Sequence, residues 1–565
     1  MVWPARSPGA FPGGRFANDY QEAGGSGMSS YRKVGIASLI MMASVLLSRV
    51  IGLAREMAIA YMGGAGGEVD AYQVAFVIPE ILNHLLASGF LSVTFIPIFS
   101  RYLAADREAE GWQVFSVILT GFGSLLLLLI AAAWLLAPGL IALIAPGLTD
   151  PVLKAKAVRM TRIVMPAQLF FFTGGLFMAV QFAREQFAVP ALAPLIYNLG
   201  IIFFGVLLSP LIGMEGFSWG ALAGAFLGNC ALQFYGARRA GMVITLRFDI
   251  RHPDLRTYVL VSLPLMVGLT MSFSTEFFLK YFGSYLPSGS IAALTYDLRI
   301  MFVLVGFFGQ AVGTASFPYM ARLAAESRLS EMNRLLNTTL KYLAVVVPFS
   351  VLFMALRNEI VMLLFQRGRF DAAATQITAH LLFFLMAGTV AFSAQSVVIR
   401  AYFATQDTLF PSLFCSAGAI LSIPLYWYNM QLWGAAGIAG AISLSVIFQV
   451  WLLYFLWNRR SRNTESAGVY RHYLKVTLIS AVIGGALEWL RRGLLEAIDT
   501  GTTAGALSVS AVVGAAFMAL LFGAGRMFQI REIDDILEKM LIRLRSVFRR
   551  FPPFPAPDAE KGKKE

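Results

Sequence analysis

Apolar runs long enough to cross a bilayer recur along the whole chain, separated by short polar breaks. A helix needs about 20 apolar residues for the crossing. That measure predicts about fourteen spans, over 34–61, 72–100, 113–137, 159–182, 188–210, 215–237, 257–285, 291–320, 338–365, 375–403, 409–430, 433–457, 470–490 and 503–525. The pattern changes at both ends. Residues 1–30 are rich in Gly, Pro and Ser and lack the basic-then-apolar order of a signal peptide, so they predict a disordered tail. Segment 526–550 has apolar residues at helical spacing and a cationic end, which suits either an amphipathic helix on the cytoplasmic membrane surface or a solvated terminal helix. Residues 551–565 predict a second disordered tail.

Composition agrees with a membrane body. Of 565 residues, 58% are hydrophobic and 14% charged, against about 25% charged in soluble domains. The formal charge of +13 belongs in cytoplasmic loops and does not require nucleic acid, for no basic segment interleaved with aromatic residues supports such a partner. Basic residues gather at Arg32 and Lys33, Arg238 to Arg256, Arg322 to Arg334, Arg459 to Arg471 and the C-terminal segment, whereas loops 61–71, 211–216, 284–290 and 430–433 hold neither Lys nor Arg. With alternating spans this places both termini in the cytoplasm. Lys154, Lys156, Arg367, Arg369, Arg491 and Arg492 fall on the other side. Cys230 and Cys415 lie in apolar stretches and read as small buried hydrophobes.

The chemistry that stands out is charge inside the apolar runs. The first run, VGIASLIMMASVLLSRVIGLAREMAIAYM, contains Arg49 and Arg55. A cation at the bilayer centre costs at least about 2.5 to 3.5 kcal/mol, so both are expected to face a polar cavity or an anion. The alternative is that they serve a helix C-terminus or pair with Glu56 or Asp70. In the seventh run Glu276 and Lys280 stand four residues apart on one helix face, either neutralising each other or leaving Glu276 to titrate or bind a cation. Gln181, Asn198, Gln310, Gln395 and Gln449 read as inter-helix hydrogen-bonding residues, with Asn198 and Gln310 candidates for a cavity wall. No GxxxxGK[ST], HExxH, CxxC or GxSxG motif is present, and the four histidines are scattered. No cofactor or metal is expected, and movement would draw on an ion gradient, the membrane potential or downhill substrate flow.

The stretches LLSRVIGLAREMAIAYMGGAGGEVDAYQVAFVIPEIL, SGFLSVTFIPIFSRY, FAREQFAVPALAPLIYNL, LPSGSIAALTYDLRIMFVLVGFFGQAVGTASFPYMARL, LLFQRGRFDAAAT and RAYFATQDTLFP occur in that order. They resemble the MurJ/MviN lipid II flippases of the multidrug/oligosaccharidyl-lipid/polysaccharide exporter superfamily over about residues 34–460. The resemblance implies an all-α integral membrane protein of about fourteen helices. Two pseudo-symmetric six-helix lobes (31–240 and 241–460) would enclose a central cavity. Two C-terminal helices in 461–527 would form a lipid-tail groove, followed by a cytoplasmic helix and tail in 528–565. The arrangement suits the general logic of repeated halves around a mid-membrane site.

Residue by residue, the resemblance makes Arg49, Arg55 and Arg299 ligands of a lipid diphosphate, for which forked guanidinium bonds are suited. Asp70 matches an aspartate that gates between the lobes or caps the second helix. Asp297 stands where the family has an alanine, and Leu298 where it has an aspartate. The second span departs further. It reads PEILNHLLASGFL where the family has PNLLRRIFAEGAF, so Asn83 and His84 replace an arginine pair and Ser88 replaces a glutamate. The family's sodium-site aspartate falls at Leu279, and its eleventh-span polar positions at Ser422 and Tyr426, so sodium coupling does not carry over. Glu276, Lys280, Asp70 and Asp297 are the gating or coupling candidates.

The expected function is a flippase for a polyprenyl-diphosphate-linked sugar, foremost lipid II, in the bacterial cytoplasmic membrane. Its expected partners are this lipid-linked substrate, membrane lipids and, as further candidates, cell-wall synthesis proteins. The alternatives are a flippase for another lipid-linked oligosaccharide, such as an exopolysaccharide unit, or a non-transporting scaffold. A glycosyltransferase is disfavoured because no loop looks longer than about 25 residues.

Overall fold

The computed structural model describes residues 27–84, 90–245, 247–249, 251–529 and 532. The tail expected over 1–30 lies outside them up to residue 26, and 27–30 instead open the first helix. The terminal helix and tail expected beyond 529 also lie outside the described residues, Glu532 excepted.

All regular structure among the described residues is helical. The first half of the chain forms α1 (Gly27–Gly63), α2 (Gly67–Ala75), α3 (Val77–Leu82), α4 (Phe90–Ala104), α5 (Glu108–Ile144), α6 (Pro151–Val164), α7 (Ala167–Ala183), α8 (Ala188–Ile212), α9 (Glu215–Ala225) and α10 (Leu232–Arg239). The second half forms α11 (Pro253–Gly283), α12 (Ser290–Leu304), α13 (Ala311–Ala325), α14 (Leu329–Leu343), α15 (Val346–Ala355), α16 (Arg357–Phe365), α17 (Ala372–Met386), α18 (Thr389–Ala404), α19 (Leu409–Leu421) and α20 (Ile423–Ser461). The pair α21 (Ser466–Ala497) and α22 (Thr503–Met527) follows. Single π-turns join α9 to α10 and α12 to α13.

Helix lies on every one of the fourteen expected segments, but several are broken. Proline explains part of this: Pro166 stands between α6 and α7, and Pro348 and Pro424 stand in the first turns of α15 and α20. Among the described residues, eight stretches are long and apolar enough to cross a membrane, nine if α17 and α18, bent by 42°, form one span. That measure takes Leu409–Ser461 as one stretch of 53 residues. At 1.5 Å per residue it would run roughly 80 Å, more than twice the hydrocarbon thickness. It folds back instead at Gly434, whose φ of 54° is open to glycine, and Gly437 then packs on the Asn429 backbone.

Large apolar side chains face outward along the helices, among them Leu128, Leu136 and Leu143 on α5, Phe203 and Leu211 on α8, and Val482 and Trp489 on α21. Exposed apolar belts of this extent suit lipid rather than water. Close approach is made by small residues: Gly216, Gly220, Gly224 and Gly228 recur every fourth position and meet the α8 backbone at Ser209, Ile201, Tyr197 and Ala193.

The halves meet tightly at one end. Tyr296 donates its hydroxyl to the Gly64 carbonyl at 2.8 Å, and the Arg369 N–H donates to the Tyr61 carbonyl at 2.9 Å. Met214 packs on Gly63, Ala65 on Gly289, and Leu286 beside Gly434. The four loops without Lys or Arg therefore gather at this closed end. Toward the other end, cross-contacts of α1 with the second half reach Arg49 on Gln310.

Two charges that blurred the loop pattern find another use. Arg491 is buried and pairs with Glu359 of α16 at 2.9 Å, while Glu488 accepts from Arg492 and Arg357. This cluster fastens α21 to α16. Glu359→Gln strips the buried Arg491 of its carboxylate, and breaking such a pair costs about 3 to 5 kcal/mol. Thermal unfolding in detergent is expected to show a Tm several degrees lower, and an unchanged Tm would rule the anchor out.

Candidate functional site

Each arginine of α1 is placed by helical spacing. Arg49 and Arg55 stand six residues apart, so about 9 Å along the axis, and both line a chamber of about 630 Å³ between the halves. Its walls come from α1, α8, α11, α12, α18, α19 and α20. A second cavity of about 370 Å³ adjoins it, lined by Tyr72, Gln73, Glu80, Asn83, His84 and Gln168 among others. Arg55, Glu276 and Arg299 line both cavities and form the wall between them.

That wall is a ladder of alternating charge. Arg55 donates to Glu56 at 2.6 Å and to the Asn198 side-chain oxygen at 3.1 Å. Arg299 Nε lies 3.6 Å from Glu56, and its Nη1 donates to Glu276 at 3.1 Å. Lys280 Nζ lies 3.9 Å from Glu276 and donates to Glu80 at 3.3 Å. The order is Glu80, Lys280, Glu276, Arg299, Glu56, Arg55, with signs alternating and a formal sum of zero. Lys280 and Glu56 are each no more than 2% exposed. Such desolvated charges persist only where partners surround them. The ladder joins α1 and α3 of the first half to α11 and α12 of the second.

Several expectations are refined by this geometry. Arg55 does pair with Glu56, and it also lines the cavity. Glu276 and Lys280 do not form a closed pair: Lys280 lies nearer Glu80 than Glu276. Asp70 does not cap its own helix. Its carboxylate accepts from the backbone N–H of Gly289 at 2.5 Å and of Ala292 at 2.7 Å, and so caps α12 from across the closed end. Asp297 lies away from both cavities, fully buried, with neither carboxyl oxygen hydrogen-bonded among the described residues. The reason is rotation: two residues along a helix turn about 200°, so when Arg299 faces the chamber Asp297 faces away.

Asn83 and His84 do line the second cavity, and His84 Nδ1 donates to the Glu80 carbonyl at 2.8 Å. Ser88 lies outside the described residues. Leu279 is buried and apolar, while Ser422 and Tyr426 line the chamber. No group of three His, Cys, Asp or Glu among the described residues is poised to hold a metal. Gln395 and Gln449, expected only between helices, also line the chamber, as do Asn198 and Gln310. Glu80 and Arg400 were not singled out by sequence. The signal for Glu80 was an acid within the second run, and for Arg400 its place at the head of RAYFATQDTLFP.

Comparison with known proteins agrees with this architecture. The family model described as "Lipid II flippase MurJ" matches residues 59–507. A probable lipid II flippase MurJ of Rhizobium tropici is 26% identical over 539 residues, covering 92% of this chain and 97% of that protein. The lipid II flippase MurJ of Burkholderia cenocepacia is 25% identical over 465 residues, covering 80% and 89%. Among solved structures, a lipid II flippase MurJ in an inward closed conformation superposes with a TM-score of 0.70 at 22% identity, covering 86% of this chain and 99% of that one. An inward-facing MATE transporter of the MOP superfamily superposes at 0.62 with 14% identity, covering 77% and 99%. With the family model spanning most of its length, the chain belongs to the MurJ family of lipid II flippases.

Proposed function

We propose that this multi-pass membrane protein moves lipid II, a polyprenyl-diphosphate-linked sugar, across the bacterial cytoplasmic membrane by alternating access. The observation that supports this is the chamber between the halves, lined by Arg49, Arg55 and Arg299; a diphosphate headgroup bound there leaves its prenyl tail in lipid. Guanidinium keeps its charge when partly dehydrated and makes forked bonds to phosphate. The loops free of Lys and Arg gather at the closed end, which the positive-inside rule assigns to the outer face. The chamber then opens to the cytoplasm, where both termini lie. Residues 31–240 and 241–460 act as lobes that rock about the ladder, with Asp70 on α12 as the outer latch and α21 and α22 beside the lipid tail. The protein is a transporter and makes or breaks no covalent bond in its cargo.

The test is translocation in proteoliposomes of defined lipid-linked sugars, with and without ion gradients. Lipid II is expected to flip, and Arg49→Ala to reduce the rate at least tenfold without removing the protein from the membrane. Flipping by Arg49→Ala at the normal rate would sink the proposal. A second reading rests on Asn83 and His84, which put neutral groups where the family has two arginines. If an exopolysaccharide precursor flips and lipid II does not, the cargo is that other glycan.

A further inference from the structure

The six charges of the ladder are already paired with one another. The unneutralised positive charge of the chamber lies elsewhere, on a ledge made by the second-half helix α12–α13 around its π-turn. Arg49 lies against Gly306 and donates to the Gln310 side-chain oxygen. Arg400 of α18 lies against Gly313 and donates to the Gln310 carbonyl at 3.3 Å and to the Thr314 hydroxyl at 3.0 Å. Both guanidiniums therefore meet at Gln310, Arg49 on its side-chain oxygen and Arg400 on its carbonyl. A methyl group at either glycine would collide with its guanidinium. All the acceptors are neutral, and neither arginine forms an ion pair with a described residue. A guanidinium has five donors, so most remain for a ligand. Gln310, Ser396 and Ile399 line the chamber beside Arg400, which places Arg400 at its edge, away from the ladder.

We infer that Arg400, with Arg49, forms an outer oxyanion station that receives the diphosphate headgroup before it reaches Arg55 and Arg299. This rests on the reading of the chamber as a diphosphate site and extends it. Binding at the ledge needs no ion pair to break, whereas binding at Arg55 or Arg299 competes with Glu56 and Glu276. The headgroup is therefore captured first where the charge is free, then passed inward as the ladder rearranges.

The test uses the full chain in lipid nanodiscs, titrated with inorganic pyrophosphate and, separately, with a prenyl diphosphate in the bilayer. Arg400→Gln is expected to weaken both about tenfold to a hundredfold, the worth of one or two charge-assisted bonds, and to flatten the salt dependence of binding. Arg400→Lys should recover part of the loss. Gly313→Ala keeps the charge but displaces the guanidinium, and should weaken binding as well. Unchanged affinity for both ligands in Arg400→Gln and Gly313→Ala would overturn the station and leave the diphosphate chamber standing. Weakened pyrophosphate with unchanged prenyl diphosphate would overturn the headgroup assignment and identify a site for free anions. If the unaltered protein binds neither ligand, the diphosphate reading itself fails, and the station with it.

Discussion

Arg55→Gln is expected to abolish rescue of a bacterial strain depleted of its lipid II flippase, and to lower flipping in proteoliposomes at least a hundredfold. Arg55 ends the ladder, borders both cavities and holds Asn198 of α8. Without it Glu56, 2% exposed, keeps only Arg299 at 3.6 Å, and the wall facing an anionic cargo gains one negative charge. Leaving a buried charge short of its partner also costs stability, about 3 to 5 kcal/mol. The double variant Arg55→Gln/Glu56→Gln separates the two effects. It removes one charge of each sign, so the melting temperature should return toward the original while flipping stays low. Recovery of flipping in the double variant would show that Arg55 serves the fold and does not touch the cargo.

Asp70→Ala is expected to loosen the closed end. Asp70 is on α2, yet both of its hydrogen bonds go to backbone N–H groups at the start of α12. A carboxylate at a helix N-terminus is favoured by the free N–H groups and by the helix dipole. Hydrogen bonds to a charged group are worth about 1.5 to 3 kcal/mol each, so losing two shifts the balance of closed and open forms by a hundredfold or more. The measurement is labelling of a cysteine placed at Ala293, 1% exposed, by a membrane-impermeant maleimide added from outside, with Cys230 and Cys415 replaced. The rate should rise at least tenfold in Asp70→Ala, and less in Asp70→Asn, which keeps one acceptor. Equal rates would mean that other contacts, such as Tyr296 on the Gly64 carbonyl, hold the end closed alone.

The proposed rocking follows from where the bonds lie. The latch at Asp70 and the ladder at Glu56 both join α12 to first-half helices, and the ledge at Gln310 joins the same continuous helix to α1. One helix of the second half thus touches the first half at the closed end, the middle and the chamber. A rotation of α12–α13 would change all three together, which is the coupling alternating access needs. The π-turn at Val305–Gln310 carries Gly306 and Gln310 of the ledge and follows the ladder residue Arg299, a place where such a helix can flex.

The sequence alone determined the helical membrane character, the approximate spans, the arginines of the first helix and the gathering of loops without Lys or Arg on one side. Each is a local property: a bilayer demands a run of set length, and a cation within such a run is costly enough to announce itself wherever it stands. Partnership was decided by tertiary structure. Lys280 suggested Glu276, four residues away, but lies nearer Glu80, 200 residues away. Asp70 suggested its own helix and caps one 222 residues on. Asp297 suggested a gating or coupling role, but helix rotation turned it into the interior, and Arg400 drew no notice until Gly313 gave it a seat. Which charges cancel and which stay free depends on distances of a few ångströms between helices remote in sequence, and those are set only when the helices pack.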